Sequence, residues 1–127
     1  MKLSEAIHDY LEFGVEMDRW KNAKIRSEVE TDLNLLIEVH GDRPLNTITP
    51  KMALDFRRTL AKIPTRRKTR PKYAGRTIEE LSADKTIPAE DLFKNAYINS
   101  IITTCSGLFT WAFKGAVNSD DLSSVNE

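Results

Sequence analysis

The residues with the clearest chemical potential form a run of positive charge in the middle of the chain. Between Arg57 and Arg76 there are nine Lys or Arg residues and no Asp or Glu. The residues before this run include 7 basic and 11 acidic side chains, and those after it include 3 and 8. A net charge of zero therefore conceals an acidic body with a basic segment, which can bind a polyanion. A solvated loop kept soluble by its charge is the alternative interpretation.

A second candidate surface is the polar side of an apolar-periodic segment near the end of the chain. Short hydrogen-bonding side chains recur there at intervals of four, three and four residues, at Asn99, Thr103, Ser106 and Thr110. Duplex DNA tolerates such a face, because it contains no carboxylate that phosphates would repel. An exposed neutral face or a helix–helix contact would show the same pattern. A further acid-free polar cluster contains Lys21, Asn22, Lys24, Arg26 and Ser27.

The sequence contains few residues that could act in catalysis or bind a metal ion. The two histidines are His8 and His40, and Cys105 is the only cysteine, which excludes a disulfide framework and a multi-cysteine metal site. His40 precedes a Gly-Asp-Arg turn and is interpreted as a helix end, where the macrodipole favours the imidazolium form. Cys105 lies on an apolar helix face and is interpreted as core, as are Phe109 and Trp111. We therefore expect no enzymatic activity within this chain, and no cofactor or metal; a small enzyme using His40 is the weakest alternative.

Length and composition bound the class of protein. The chain has 127 residues, 14.5 kDa, 40% hydrophobic and 30% charged side chains, which favours one globular domain. Its apolar runs are far shorter than the roughly 18 residues that span a bilayer, and no basic-then-apolar leader opens it. We expect a cytoplasmic protein of one domain over residues 1–117, followed by a linker over 118–127.

Hydrophobic spacing predicts an all-α domain. The first helix follows Ser4 as N-cap, with a buried stripe of Leu3, Ile7, Leu11 and Val15. The second is predicted over about 22–40, the third begins at Thr49-Pro50, and a short one covers 78–83. The last, over about 95–117, has a broad inner face made of Ile98, Ile101, Ile102, Cys105, Leu108, Phe109 and Ala112. About 30 residues with one short helix separate the third helix from the last, a connection long enough to be functional or mobile.

Two sequence motifs resemble one known family. The last predicted helix contains Leu108-Phe109-Thr-Trp111-Ala112 and then Lys114, similar to the L-F-x-W-A-x-K pattern that closes the core-binding domain of phage-type integrases, which are tyrosine recombinases. The segment that begins at Gly41 resembles the family's G-D-x-P-L-x-x-I-T turn, and 73–80 resembles a stretch found in a basic insertion of some members. The family usually has Thr where this chain has Tyr97, so the last helix is expected to begin upstream of it. The order of elements also fits over nearly the whole chain.

The resemblance implies a SAM-like four-helix orthogonal bundle with a long basic loop between the third and last helices. Such a domain forms half of a clamp on double-stranded DNA, with its second and last helices against the duplex. In the family, the catalytic residues belong to a separate C-terminal domain of the same protein, which acts in DNA integration and recombination as a tetramer. His40 and Arg43 have the family's His-x-x-Arg spacing but lie in the wrong element, so that catalytic role is not transferred to them.

The candidate DNA contacts come from two sources. Those transferred by position from the family are Lys21, Asn22, Lys24, Asn99, Ser100 and Thr103. Those argued from charge, as phosphate contacts, are Arg66, Arg67, Lys68, Arg70, Lys72 and Arg76. We expect the loop to set affinity, and Asn99 and Thr103 to read bases. The alternative from another class is a helical protein-interaction module whose basic loop binds an acidic partner.

Overall fold

The chain folds into helices joined by two short turns and one long connection. The computed structural model describes the backbone of residues 1–117 and the side chains as far as Phe113. The α-helices are α1 (Leu3–Glu16), α2 (Ala23–His40), α3 (Pro50–Leu60), α4 (Ile78–Ala83) and α5 (Asn95–Val117), with 3-10 turns at Leu45–Thr47 and Ala89–Asp91. Residues 1–117 contain no strand, so the all-α prediction is confirmed. The predicted linker over 118–127 lies outside the described residues. No helix in the described part is long and apolar enough to cross a membrane.

Local capping signals explain where α2, α3 and α4 begin. The Asn22 side chain accepts a hydrogen bond from the Ile25 backbone N–H at 2.9 Å, and Thr49 does the same for Met52 at 3.2 Å. Thr77 and Glu80 form a reciprocal capping box around the first turn of α4. Each of these bonds satisfies an amide that has no partner within its own helix. The predicted starts of these helices are therefore confirmed.

The start of α1 depends on a residue far away in the sequence. The helix begins before Ser4, so the prediction that Ser4 is its N-cap is wrong. Ser4 instead donates from its backbone N–H and its hydroxyl to the two carboxylate oxygens of Asp42, at 2.9 and 2.7 Å. These bonds hold the pKa of Asp42 below its ordinary value. The Gly41–Pro50 turn thus caps the first helix, and Leu3 N–H donates to Arg43 O at 2.9 Å beside it.

The core lies where α1, α2 and α5 meet, with α3 packed against α2 and α5. Its fully buried side chains include Leu3, Leu11, Leu33, Phe56, Leu60, Ile98, Ile101 and Leu108. The predicted inner face of α5 is buried or half-buried throughout. Val15 was predicted to be buried but is 53% exposed, because it lies in the last turn of α1, at the edge of the packed stripe. On α2, Leu33, Leu35 and Leu36 are buried.

An aromatic cluster joins the ends of α1 and α5. The Tyr10 ring lies 5.7 Å from that of Trp20 and 5.3 Å from that of Trp111, and Phe13 also contacts Trp111 at 5.8 Å between centroids. The indole N–H of Trp20 donates to Leu11 O at 3.0 Å. Trp111 therefore packs α5 against α1, and Trp20 closes the chain back over α1. Both side chains are engaged inside the fold rather than presented as stacking platforms.

Replacement of Gly14 by alanine should destabilise the domain. A Cβ at this position would lie 2.1 Å from the Trp20 ring, so the indole would have to move. We expect a net loss of about 1–2 kcal/mol, since overpacking outweighs the roughly 1 kcal/mol by which helices favour alanine. Urea denaturation followed by circular dichroism measures it. In a Trp20→Ala background the Gly14→Ala change should cost nothing; an equal cost in both backgrounds would contradict the steric explanation.

Candidate nucleic-acid interface

The connection between α3 and α5 is folded onto the body of the domain. Ile63, Tyr73 and Leu81 are buried from this segment, with 0%, 3% and 0% of their surface exposed. Thr65 N–H donates to Asp91 O at 2.8 Å, and Pro64 pairs with Leu92 in an isolated bridge. These contacts join the two ends of the connection. The connection therefore packs against itself and against the core, and the basic loop (residues 66–76) lies within it.

A buried carboxylate organises the basic loop. Asp91 is only 7% exposed, and it accepts a hydrogen bond from the Tyr73 hydroxyl. Its oxygens also lie 3.2 Å from the Arg70 guanidinium and 2.9 Å from the Lys72 ammonium. The Tyr73 hydroxyl, followed by Lys72, holds the pKa of Asp91 below its ordinary value. Asp91 consequently stays charged at neutral pH, and its two cationic partners have a structural role.

Three further loop cations are paired with acids of the same chain. Arg67 and Lys68 share the carboxylate of Glu38 on α2, with a Lys68 Nζ to Glu38 Oε1 distance of 2.7 Å. Arg76 lies 3.0 Å from Asp84, whose pKa is lowered to about 2, mainly by hydrogen bonds from Thr86 and then by Arg76. Among the described residues, Arg66 alone of the six loop candidates has no carboxylate within 4 Å. A phosphate would have to compete with these carboxylates for most of the loop.

The three candidate residues at the start of α2 are Lys21, Asn22 and Lys24, and they differ in whether their side chains are already hydrogen-bonded within the fold. Asn22 is engaged as the N-cap, so its carbonyl oxygen already satisfies a backbone amide. Lys21 and Lys24 are exposed, and neither lies in an ion pair with a described residue. Lys24, however, is followed one helical turn later by Glu28. The unpaired positive charge here is therefore limited to Lys24 in the first turn and Lys21 just before the helix, since Arg26 lies in ion pairs with Glu12 and Glu30.

The polar stripe of α5 is exposed, and its two edges face different neighbours. Asn99, Ser100 and Thr103 are all on the surface. The Asn99 carbonyl oxygen accepts from the Arg57 guanidinium at 2.8 Å, which places this edge beside α3. Ser100 instead shares a small recess with Ser27, Glu28, Thr31 and Asp32 of α2. Two carboxylates, Glu28 and Asp32, therefore line the recess between α2 and this edge of α5.

A larger cleft of about 740 Å³ continues this recess between α2 and the basic loop. Its floor is apolar, with Leu35, Ile63 and Phe93, and Asp32 lines its wall. Burial, assisted by the nearby charge of Glu28, raises the pKa of Asp32 to about 6. The small recess beside Ser100 is therefore acidic, whereas the cleft is also lined by Arg66, Arg67 and Lys68 of the loop.

The two side chains considered for catalysis are His40, which is half-buried, and Cys105, which is buried. His40 Nε2 donates to Met52 O at 3.0 Å, and its ring centroid lies 6.0 Å from that of Phe56. Burial lowers the pKa of His40, so the expectation that its helix end favours the imidazolium is wrong in direction. Burial and Asp32 raise the pKa of the Cys105 thiol to about 12, which makes it a poor nucleophile. Residues 1–113 contain no cluster of three side chains suited to a metal ion.

Arg57 contacts the candidate residue Asn99, although it is not one of the predicted site residues. It belongs to the basic run, but its proximity to Asn99 joins positions 42 residues apart and has no local sequence signal. The acids that neutralise the loop were missed for the same reason. Glu38 precedes its cations by about 30 residues, and Asp91 follows its own by about 20.

Comparison of this chain with known proteins gives no match. No protein-family model, no curated protein and no solved structure matches it. The functional interpretation consequently rests on the residues, their arrangement and the motif resemblance.

Loss of the Asp91 carboxylate should open the basic loop. In Asp91→Ala, Arg70 and Lys72 lose their shared partner and the Tyr73 hydroxyl its acceptor, so the loop should detach while α1, α2 and α5 stay folded. We expect limited trypsin digestion within 66–76 to become faster by roughly tenfold or more. Glu90→Ala, at the exposed neighbouring position, serves as the matched control. Equal cleavage rates for the two variants would contradict the structural role of Asp91.

Neutralising Asp32 should stabilise the domain at high pH. The folded-state pKa of about 6 lies above the ordinary value of 3.8, so the native state loses stability as the pH rises through this interval. Asp32→Asn avoids this loss, and because the side chain is half exposed we expect a gain on the order of 1 kcal/mol at pH 8.

The gain should shrink as the pH falls towards 4, because Asp32 then becomes protonated in the folded state and partly protonated in the unfolded state. Thermal denaturation from pH 4 to 8 measures it, with the exposed Asp9→Asn as control. A gain that does not change with pH would show that burial of the charge is not the cause.

Proposed function

We propose that this chain is the DNA-binding domain of a site-specific tyrosine recombinase of the phage-integrase type. In this proposal the helices form the SAM-like core-binding bundle, and α4 belongs to an insertion between its third and last helices. The domain clamps one side of the core recombination site. Strand exchange is carried out by a C-terminal catalytic domain of the same protein, within a tetrameric synapse on paired sites. The domain itself needs no metal or cofactor, and it works on cytoplasmic, bacterial or phage DNA.

The observation that carries the proposal is the character of α5. This helix of 23 residues contains no Asp or Glu, and its Asn99, Thr103, Ser106 and Thr110 are exposed along one side. Its other side carries the L-F-x-W-A motif, with Leu108 buried and Trp111 packed on α1. A helix that is docked by one face and presents an acid-free polar face fits DNA backbone and groove edges.

The G-D-x-P-L turn supports the proposal by its structural role. Gly41 adopts a positive φ of 85° at the end of α2, and Asp42 then caps α1. The motif residues therefore orient α1 relative to α2, and these two helices form the support on which α5 lies. Both motifs that resemble the integrase pattern thus act on the placement of the same helix.

Binding to duplex DNA tests the proposal directly. Fluorescence anisotropy with a labelled duplex should give roughly micromolar affinity at 50 mM salt and a steep loss at 200 mM. A log–log salt slope near −5 corresponds to about six neutralised phosphates. Thr103→Glu should abolish binding, because it places a carboxylate on the exposed stripe. His8→Glu adds the same charge on the outer face of α1 and should have little effect.

The alternatives give different results in the same assay. No binding at 50 mM salt, or equal effects of Thr103→Glu and His8→Glu, would contradict DNA binding through α5. Binding of an acidic peptide in place of DNA would favour the protein-interaction module. Nuclease protection of a defined core site, rather than uniform protection, separates a recombinase domain from an architectural DNA-binding protein.

A further inference from the structure

Glu38, in the last turn of α2, has both of its carboxylate oxygens occupied by cations of the basic loop. Its Oε2 accepts a hydrogen bond from the Arg67 guanidinium, and its Oε1 lies 2.7 Å from the Lys68 ammonium. A backbone phosphate offers cations the same pattern, because it has a negative charge and terminal oxygens that accept charge-assisted hydrogen bonds. The Glu38 carboxylate therefore occupies the position between these two cations that a phosphate could fill.

The two ion pairs of Glu38 differ in their exposure to water. The Arg67 side chain is 13% exposed, whereas that of Lys68 is 75% exposed. An ion pair that is withdrawn from water is costly to break, because one partner would be left as a desolvated charge. An exposed pair contributes little, because water and salt screen it. Arg67 therefore anchors the loop on α2, and Lys68 can exchange Glu38 for another anion while the loop stays in place.

Arg66 supplies a second exposed cation at the same place. Its side chain is exposed and lies in no ion pair with a described residue. Arg66 and Lys68 both line the cleft between α2 and the loop, where Glu38 and Asp32 are the two acids among the lining residues. This cleft continues into the recess between α2 and α5. The two exposed cations therefore lie at the border of the α2 surface.

We propose that the rim of this cleft binds one phosphate of the DNA backbone through Arg66 and Lys68, and that Glu38 holds Lys68 until the phosphate displaces it. Arg67 stays paired with Glu38 in both states, so the loop keeps its position on α2. Glu38 thereby weakens binding to every duplex alike, because release of Lys68 does not depend on base sequence. This inference rests on the proposed function and assigns an internal competitor to its basic loop.

Removal of the Glu38 charge tests the inference. Glu38→Gln keeps a carbonyl oxygen that accepts from Arg67, and it removes the anion that holds Lys68. By anisotropy at 50 mM salt, we expect duplex affinity to rise about three- to fivefold, as the loss of one exposed competing ion pair implies. Glu90→Gln is the matched control, since it removes the same charge from an exposed position in the connection and should raise affinity much less.

A Lys68→Ala background shows whether the gain depends on Lys68. In this background Glu38→Gln should increase affinity no more than Glu90→Gln does, because the cation for which Glu38 competes is gone. Circular dichroism checks that each variant is folded.

A comparison of Arg66→Ala with Lys68→Ala gives a second test that leaves Glu38 in place. Arg66 gives up no ion pair when it binds a phosphate, whereas Lys68 does. Arg66→Ala should therefore weaken binding several-fold more than Lys68→Ala. Both side chains are exposed, so both variants should fold.

Each contrary outcome has a distinct meaning. Equal gains from Glu38→Gln and Glu90→Gln, or a Glu38→Gln gain that persists without Lys68, would overturn the inference while leaving DNA binding intact. A loss for Lys68→Ala that equals or exceeds the loss for Arg66→Ala would also overturn it. If the unmodified chain does not bind DNA at 50 mM salt, the proposed function itself fails, and the phosphate site fails with it.

Discussion

The fold of the long connection depends on the ionised carboxylate of Asp91 and the groups that surround it. A buried charge is tolerated only when charged and hydrogen-bonding partners compensate its loss of water, and here Arg70, Lys72 and Tyr73 do so. Because these partners come from one end of the connection and Asp91 from the other, the pairing closes the segment on itself. The closure holds Tyr73 in the core.

The charged residues of this chain consequently fall into two groups: some pair with one another and hold the fold together, and the others remain available at the surface. The acids that follow the basic run in sequence include the ones that neutralise it in space, as Asp84 and Asp91 do, while Glu38 reaches it from α2. A basic run read from sequence alone overstates the charge that a partner can reach. Among the described residues, the cations of the run that lie in no ion pair are Arg57, Arg58 and Lys62, which precede the loop, and Arg66 within it.

Features governed by neighbouring residues were predictable from the sequence. Asn22, Thr49 and Thr77 act on amides within the next three residues, so the starts of α2, α3 and α4 follow from local patterns. Features that join distant residues were not. Ser4 resembles an N-cap, but the carboxylate of Asp42 takes over that role from 38 residues away. His40 was assigned its protonation from the helix dipole, whereas packing against α3 buries it and reverses the direction of its pKa shift.

In the candidate site, too, features set by neighbouring residues were predictable and features set by distant residues were not. Helical spacing alone places Asn99, Thr103, Ser106 and Thr110 on one exposed side of α5, so the stripe was predictable. Which neighbour borders the stripe is decided by packing, since α5 contacts both α2 and α3. One border has Glu28 and Asp32, and the other has Arg57 bonded to the stripe itself. The two borders of the stripe therefore differ in charge, and this difference follows from how α2 and α3 pack against α5 rather than from the spacing of residues within α5.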